Sequence, residues 1–113
     1  MVYTHGVCTG RIDLNTFVDA CSTQASRIFG MYPRKGAIAV GSDADLVVFD
    51  PGYEGTMTLA TSHSAVDYNA FEGWPIKGRA DVVAVRGEVQ SVEGRFVGTL
   101  GRGKLVPRSR THY

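Results

Sequence analysis

Two tight-turn dipeptides near the end of the chain constrain its fold more than any other feature. Arg86-Gly87 separates the apolar run 80–85 from the alternating run 88–92. Glu93-Gly94 follows at once and leads into "RFVG". Glycine accepts the positive φ that two-residue hairpin turns require, so each dipeptide predicts a reversal between antiparallel strands. The second half of the chain is therefore expected to form a meander of short strands.

Three further strands are predicted upstream of the meander. "AIAV" (37–40) lies between two glycines, "DLVVFD" (45–50) ends at Pro51, and "TMTLA" (56–60) alternates apolar and hydroxyl side chains. Short apolar or alternating runs between turn residues are typical of strands. The stretch 63–74 has no such period and is expected to be an irregular connection.

The first third of the chain has a helical period. Asp13 is suited to cap a helix, and Leu14, Phe17, Val18 and Cys21 then fall on one helical face. A second short helix is predicted after Ser22 or Thr23 as its cap, with Gly30 as its end. Helices followed by strands, with no regular βαβ alternation, exclude a closed α/β barrel built from this chain alone.

Composition indicates an ordinary globular domain. The chain has 113 residues, a net charge of +1 and 43% hydrophobic residues, so nothing points to nucleic acid. No apolar run approaches the roughly twenty residues of a membrane span, and no leader pattern opens the sequence. The two cysteines, Cys8 and Cys21, form neither a disulfide framework nor a CxxC pair, which favours reduced thiols and a cytoplasmic location.

The carboxylates Asp43 and Asp45 are the first candidates for chemistry. A calcium loop needs oxygen ligands at alternating positions, yet the third position here is Val47 and the run becomes apolar. We therefore interpret Asp43 as part of a turn and Asp45 as the polar start of a buried strand.

Histidines and cysteines do not form a recognisable catalytic pattern. His5, His63 and His112 are far apart in sequence and form no HxH or HxxxH pair. Cys8 forms no recognised Cys/His catalytic motif, so a plain thiol is favoured over a nucleophile. The prediction is that this chain contains no catalytic residue and no metal ligand.

The stretch "HSAVDYNAFEGW" (63–74) is the densest polar and aromatic segment. Its polar side chains either line a pocket or satisfy the backbone of an irregular connection, and both readings stay open. The basic tail from Gly101 is expected to lie on the surface or extend freely. Its "LVPRS" (105–109) is similar to a thrombin cleavage sequence, from which nothing follows for function.

Longer motifs carry a resemblance to a family. "YPRKGAIAVGSDADLVVFDP" (32–51) resembles the C-terminal signature of the amidohydrolase superfamily, and "VDYNAFEGWPIKGRADVVAVRGE" (66–88) narrows it to cyclic amidohydrolases such as D-hydantoinase and dihydropyrimidinase. "GRIDLNTFVDACSTQASRIFGMYPRKG" (10–36) and "EGRFVGTLGRGKLVPRSR" (93–110) match the same branch. The positions that carry the match, taken as structural, are Gly36, Gly41, Asp43, Asp45, Asp67, Tyr68, Asn69, Glu72 and Gly73; His63 and Trp74 are candidate loop contacts.

The resemblance implies an α+β fold in which two N-terminal helices from the edge of a TIM-type barrel precede the C-terminal part of a composite β-sandwich. It divides the chain into a helical segment (1–35), a sandwich portion (36–100) and a basic tail (101–113). Family enzymes hydrolyse cyclic amides with two zinc ions held by barrel residues, and none of those ligand motifs occurs here. The chain is thus expected to be a structural and oligomerisation portion, without cofactor or activity of its own.

The resemblance also names partners and an alternative. The expected partners are the remainder of the parent chain and further copies in a homo-oligomer, a tetramer in the family, with no nucleic acid and no membrane. The alternatives are a non-catalytic interaction module like the collapsin response mediator proteins, or an independent β-sandwich binding domain.

Alone, the chain is expected to expose apolar helix and strand surfaces, because the family sandwich takes strands from elsewhere in the parent chain. We expect marginal stability or self-association. Sedimentation and a thermal melt test this, and a monodisperse monomer that unfolds cooperatively would contradict it.

Overall fold

The predicted meander is present as a four-stranded antiparallel sheet. In a computed structural model that describes residues 1–110, β1 (Leu46–Thr56), β2 (Pro75–Val85), β3 (Glu88–Val92) and β4 (Arg95–Phe96) lie side by side in that order. Both hairpin turns have positive φ at their two central residues, 50° and 78° in the first and 49° and 77° in the second. This is the type I′ geometry that matches strand twist, so both turn predictions are confirmed.

The two longest strands extend further than their sequence pattern suggested. β1 continues through Pro51, which was expected to end it, and β2 begins at Pro75 rather than Ala80. The β1–β2 register breaks between Asp50 and Glu54, and the Asp50 carboxylate accepts the Gly52 amide at 2.9 Å. β1 is an edge strand, and an edge strand tolerates a proline because one side has no ladder partner.

The two helices form one uninterrupted rod. α1 (Leu14–Val18) continues through a π-helical segment (Asp19–Thr23) into α2 (Gln24–Ile28). Asp13 caps it as predicted, since its carboxylate accepts the Thr16 amide at 2.7 Å. The predicted cap between the helices is wrong: Thr23 has helical dihedrals and makes no side-chain cap bond.

The helical rod ends at a glycine. Gly30 has φ +68°, and the Met31 amide donates to the Ser26 carbonyl at 2.8 Å. This is the left-handed ending predicted for the second helix. A separate π-helical turn (Tyr3–Val7) precedes the rod.

Two predicted strands are wrong. Residues 37–40 form an irregular loop, in which Ile38 is 91% exposed and Val40 fully exposed. In the second, 56–60, Thr56 is the last residue of β1 and Leu59–Thr61 is a 3₁₀ turn. A short apolar run becomes a strand only where another strand can pair with it. No described strand pairs with 37–40, and in the second run only Thr56 has a strand partner, Pro75 of β2. The connection 63–74 is irregular, as expected.

An aromatic cluster joins the helices to the sheet. The rings of Tyr3 and Phe17 pack edge-to-face 5.8 Å apart, and Tyr3 packs on Phe49 of β1 at 4.7 Å. Gly78 of β2 lies beneath them with φ +72°, so close that a Cβ would fall 2.5 Å from the Phe49 ring. Next to it, the Thr4 hydroxyl accepts the Lys77 amide and donates to its carbonyl.

The fold has little interior beyond this cluster. No hydrophobic side chain among residues 1–110 is buried, and the accessible surface is 8270 Å². A folded monomer of 12.2 kDa exposes about 6,100 Å². The chain therefore displays about 2,200 Å² more surface than a self-contained domain of its mass.

The described part of the tail lies against the fold, which agrees with the first of the two outcomes expected for it. Arg102 pairs with Glu88 of β3 at 2.9 Å, and its carbonyl accepts from the Arg86 guanidinium. Further on, the Ser109 amide donates to the Gly30 carbonyl at 2.8 Å. The tail thus connects the sheet to the helix end. None of the helices in residues 1–110 has the length and apolar character to cross a membrane.

Replacing Gly78 tests the aromatic cluster. Gly78→Ala is expected to lower the free energy of unfolding by about 2–4 kcal/mol, because it combines backbone strain with a clash against Phe49 and Tyr3. Gly10 has nearly the same φ, +71°, but a Cβ added there would meet nothing within 4 Å. Gly10→Ala should therefore cost only about 1 kcal/mol. Urea unfolding followed by Trp74 fluorescence measures both, and equal losses would show that the close approach has no energetic role.

Candidate functional site

The two aspartates considered as metal ligands surround a lysine ammonium. Lys35 Nζ lies 2.9 Å from Asp43 Oδ2 and also contacts Asp45 Oδ2. Arg34 Nε lies 3.0 Å from the same Asp43 oxygen. The Lys35 side chain is only 16% exposed, so this ion pair is shielded from much of the solvent. The carboxylates are neutralised by protein cations and are not arranged to receive a metal.

The remaining oxygen of Asp45 reaches the sheet. Asp45 Oδ1 accepts the Arg86 amide in the β2–β3 turn at 2.9 Å. Beside it, the Gly87 amide donates to the Ala44 carbonyl at 2.9 Å. We call Arg34, Lys35, Asp43, Asp45 and the Arg86 amide the Lys35 anchor. It fastens the loop after the helices to a turn of the sheet.

The anchor shifts the pKa of each ionisable group toward its charged form. The hydrogen bonds from Lys35 and then Arg34 lower the pKa of Asp43. Partial burial acts to raise the pKa of Asp45, but the bonds from Lys35 and the Arg86 amide lower it overall. Partial burial likewise acts to lower the pKa of Lys35, and its bonds to Asp45 and Asp43 reverse this and raise it. The three groups therefore stabilise one another's charges.

The two signature glycines shape the same loop for different reasons. Gly36 has φ +77° and lies against Ser26, whose Cβ would be 2.8 Å from an added methyl group; its carbonyl accepts the Thr23 hydroxyl at 2.8 Å. Gly41 has φ +93° and open space around it. Gly36 is needed for a close approach, whereas Gly41 serves backbone conformation alone.

Three polar side chains of the 63–74 connection, those of His63, Asn69 and Glu72, bond backbone groups. Glu72 Oε2 accepts the Leu59 amide at 2.7 Å, and Asn69 Oδ1 accepts the Phe71 amide at 3.0 Å. His63 Nε2 lies 2.7 Å from the Gly94 carbonyl oxygen, which can only accept, so Nε2 is the donor in this bond. Gly73 has φ +79° and donates its amide to Met57. This arrangement matches the structural reading of the segment.

The other members of this connection do not converge on a pocket. Tyr68 is 69% exposed, and in the described part of the chain neither Asp67 nor Tyr68 makes a side-chain hydrogen bond. Trp74 is 46% exposed and packs edge-to-face on His5, with ring centroids 5.4 Å apart. Binding through these residues stays a prediction that no contact here supports.

The remaining candidates are separated. Cys8 and Cys21 are exposed free thiols, and His5 and His63 lie in different environments. His112 falls outside the described residues. Residues 1–110 contain no group of three or more His, Cys, Asp or Glu side chains that could hold a metal ion.

An apolar groove of about 620 Å³ lies between the helical rod and β1. Its walls include Phe17 and Val18 from the helix, Tyr32 and Ile38 from the following loop, and Val47 and Phe49 from β1. Asp43 and Asp45 of the anchor also line it. Three small polar residues of the helical rod, Cys21, Ser22 and Thr23, complete the lining beside the apolar walls.

The role of Lys35 and of the Arg86 amide was not predicted from the sequence. The signal available was a basic pair, Arg34-Lys35, a short distance before two aspartates with a glycine-bounded segment between them. The amide donor at Arg86 carries no sequence signal, because any non-proline residue supplies it.

Replacing Lys35 tests the anchor. At neutral pH, Lys35→Met should lower the free energy of unfolding by about 1 kcal/mol, because it leaves two carboxylates without their shared cation. Lowered carboxylate pKa values stabilise the folded state fully above the unfolded value of 3.8, and this contribution is lost as the pH falls through the folded values. The difference between wild type and variant should therefore shrink below about pH 4.

Lys104 provides the matched control, since it is exposed and makes no ion pair with any of residues 1–110. Lys104→Met should leave the free energy of unfolding unchanged at every pH. Denaturant titrations between acid and neutral pH measure both variants. A pH-independent loss in Lys35→Met, or an equal loss in Lys104→Met, would contradict the anchor.

Comparison with known proteins shows which family the chain resembles. The model of the amidohydrolase family matches residues 2–90. Over 110 residues the chain is 47% identical to the D-hydantoinase of Geobacillus stearothermophilus, covering 97% of this chain and 23% of that protein. It is 45% identical to the dihydropyrimidinase of Rattus norvegicus, covering 96% of this chain and 21% of that protein.

Solved structures of hydantoinases have the same fold over the matched residues. The D-hydantoinase from Bacillus sp. AR9 superposes with a TM-score of 0.94 at 47% identity, over 99% of this chain and 25% of that one. The D-hydantoinase (dihydropyrimidinase) from Thermus sp. gives 0.92 at 55% identity, over 99% and 24%. The chain thus spans about a quarter of the length of the relatives it matches. It belongs to the amidohydrolase family, with D-hydantoinases and dihydropyrimidinases as its relatives.

Proposed function

We propose that this chain is a structural portion of a cyclic-amide hydrolase and has no activity of its own. The observation that carries the proposal is that nearly the whole chain matches only about a quarter of each hydantoinase relative. The match extends to the fold, with TM-scores of 0.92 to 0.94 for the two structures compared above.

The chemistry of the described residues supports a structural role. Hydrolysis of an amide needs an activated water or nucleophile and a group that stabilises the developing oxyanion. The carboxylate pair Asp43 and Asp45 is held by Lys35 and by the Arg86 amide. These residues do not fit a metal centre, so we assign them no step of a reaction.

We further propose how the three segments contribute. The helical segment (1–35) presents Leu14, Val18 and Phe29, each more than half exposed, and would pack on a catalytic barrel. The sandwich portion (36–100) offers the unpaired outer edge of β1, where Val47 and Val48 are both 59% exposed, to strands of the parent protein. The tail (101–113) ties sheet to helix through Arg102 and Ser109.

The catalytic portion of the parent would supply the metal and the substrate site. By analogy with its relatives, we propose hydantoins or dihydropyrimidines as substrates, two zinc ions as cofactors and a homo-oligomer as the assembled state. The surplus accessible surface of this chain supports the presence of such a catalytic portion. Its size, about 2,200 Å², is comparable to one side of a large obligate interface.

A chimera tests the proposal. The 110 matched residues of the Geobacillus stearothermophilus D-hydantoinase are replaced by those of this chain. We expect the chimera to hydrolyse hydantoin with a kcat within about a hundredfold of that enzyme, because the exchanged residues position the catalytic portion without touching the reacting atoms. The isolated chain should show no zinc-dependent hydrolysis of hydantoin or dihydrouracil.

The control is the same hydantoinase without the exchanged residues, which should be inactive or insoluble. Ring opening by the purified isolated chain would contradict the assignment. So would a chimera that is folded by circular dichroism, retains zinc and yet hydrolyses nothing.

A further inference from the structure

Ile38 and Val40 are the most exposed large apolar side chains of the described chain apart from Leu105, at 91% and 109% of their free surface. They belong to the loop 37–40, which lies between Gly36 and Gly41. Exposing isolated apolar residues is common on protein surfaces. Two of them on one short loop, beside an apolar groove, form a larger continuous patch.

The loop is held in place from both ends. Before it, the Thr23 hydroxyl bonds the Gly36 carbonyl at 2.8 Å. After it, the Ser42 amide donates to Ala39 at 3.1 Å and the Ser42 hydroxyl donates to Pro33 at 2.8 Å. The Lys35 anchor then joins its two flanks, because Lys35 precedes the loop and binds Asp43 and Asp45 beyond it.

Leu100 and Leu105 are also exposed, at 84% and 94%, and Leu105 lies between two bonded positions, Arg102 and Ser109. The loop differs from both leucines because Ile38 also lines the apolar groove. Ordering an apolar residue in water brings no stability by itself, whereas a pre-ordered residue loses less entropy when it binds. The bonding around the loop therefore holds Ile38 and Val40 ready for a partner.

Resting on the proposed function, we infer that the loop 37–40 is the knob by which this chain docks onto the catalytic portion of a hydantoinase. Ile38 also forms one wall of the groove beside Val18 and Val47, so knob and groove make one apolar surface. The partner is a complementary apolar pocket in the three quarters of the relatives that this chain does not match. The surplus surface of the chain is large enough for such a contact.

The hydantoinase chimera defined above tests the knob. Ile38→Asp in the chimera should lower its Tm by at least about 3 °C, because docking would place a carboxylate in an apolar pocket. In the isolated chain the same substitution should leave the urea midpoint unchanged, since the side chain is exposed there. A substitution that only disturbed the local fold would destabilise the isolated chain as well. A loss of stability in the chimera alone therefore identifies an effect on docking.

Leu105→Asp is the matched control, because Leu105 is exposed to the same degree but lies outside the knob. It should change the Tm of the chimera by less than about 1 °C. An active chimera in which Ile38→Asp and Leu105→Asp behave alike would overturn the knob and leave the proposed function standing. An inactive but folded chimera would overturn the proposed function instead. A lowered midpoint for Ile38→Asp in the isolated chain would also overturn the knob, since it would assign Ile38 to the chain's own fold.

Discussion

Burial of apolar surface is the constraint on which this structure depends, and the chain meets it only in part. The rings of Tyr3, Phe17 and Phe49 gather over Gly78, yet no hydrophobic side chain in the described chain is buried. Hydrophobic burial is the main favourable term in folding. With so little of it, the positions of the helices and the sheet rely on specific polar contacts.

The Lys35 anchor is a set of polar contacts that orients parts of the fold where little apolar surface is buried. It joins the loop after the helices to the β2–β3 turn through Asp45, whose two oxygens serve different partners. Partly exposed ion pairs contribute little individually. Their geometry nonetheless fixes the two flanks of the loop 37–40 relative to each other, because Lys35 precedes the loop and both carboxylates follow it. Stability and orientation are thus supplied by different groups in this fold.

Local chemistry explains which parts of the fold were predictable. Asp13 and Gly30 bound the helical rod, and the Arg86-Gly87 and Glu93-Gly94 turns follow from backbone preferences of a few adjacent residues. The strands predicted at 37–40 and 56–60 failed because strand formation depends on a pairing partner, which sequence period does not reveal. For the candidate site, Asp43 and Asp45 bind a cation and an amide from residues 35 and 86, distant in sequence from one another, and neither partner was predicted. The strand after Asp45 was expected to be buried, and this is wrong, because Val47 and Val48 are both 59% exposed.

The loop 37–40, which was wrongly predicted as a strand, and the motif "GSDADLVVFD" next to it can be understood in the same way. A family signature records what a segment needs in the complete protein, including contacts that lie outside this chain. The two aspartates of "GSDADLVVFD" are explained by the chain itself, since Asp43 and Asp45 bind Lys35. "AIAV" just before it is not, since Ile38 and Val40 contact water here. Apolar residues that the chain leaves exposed, such as Ile38 and Val40, therefore indicate a complementary apolar surface elsewhere. This is the reason to look for that surface on the catalytic portion.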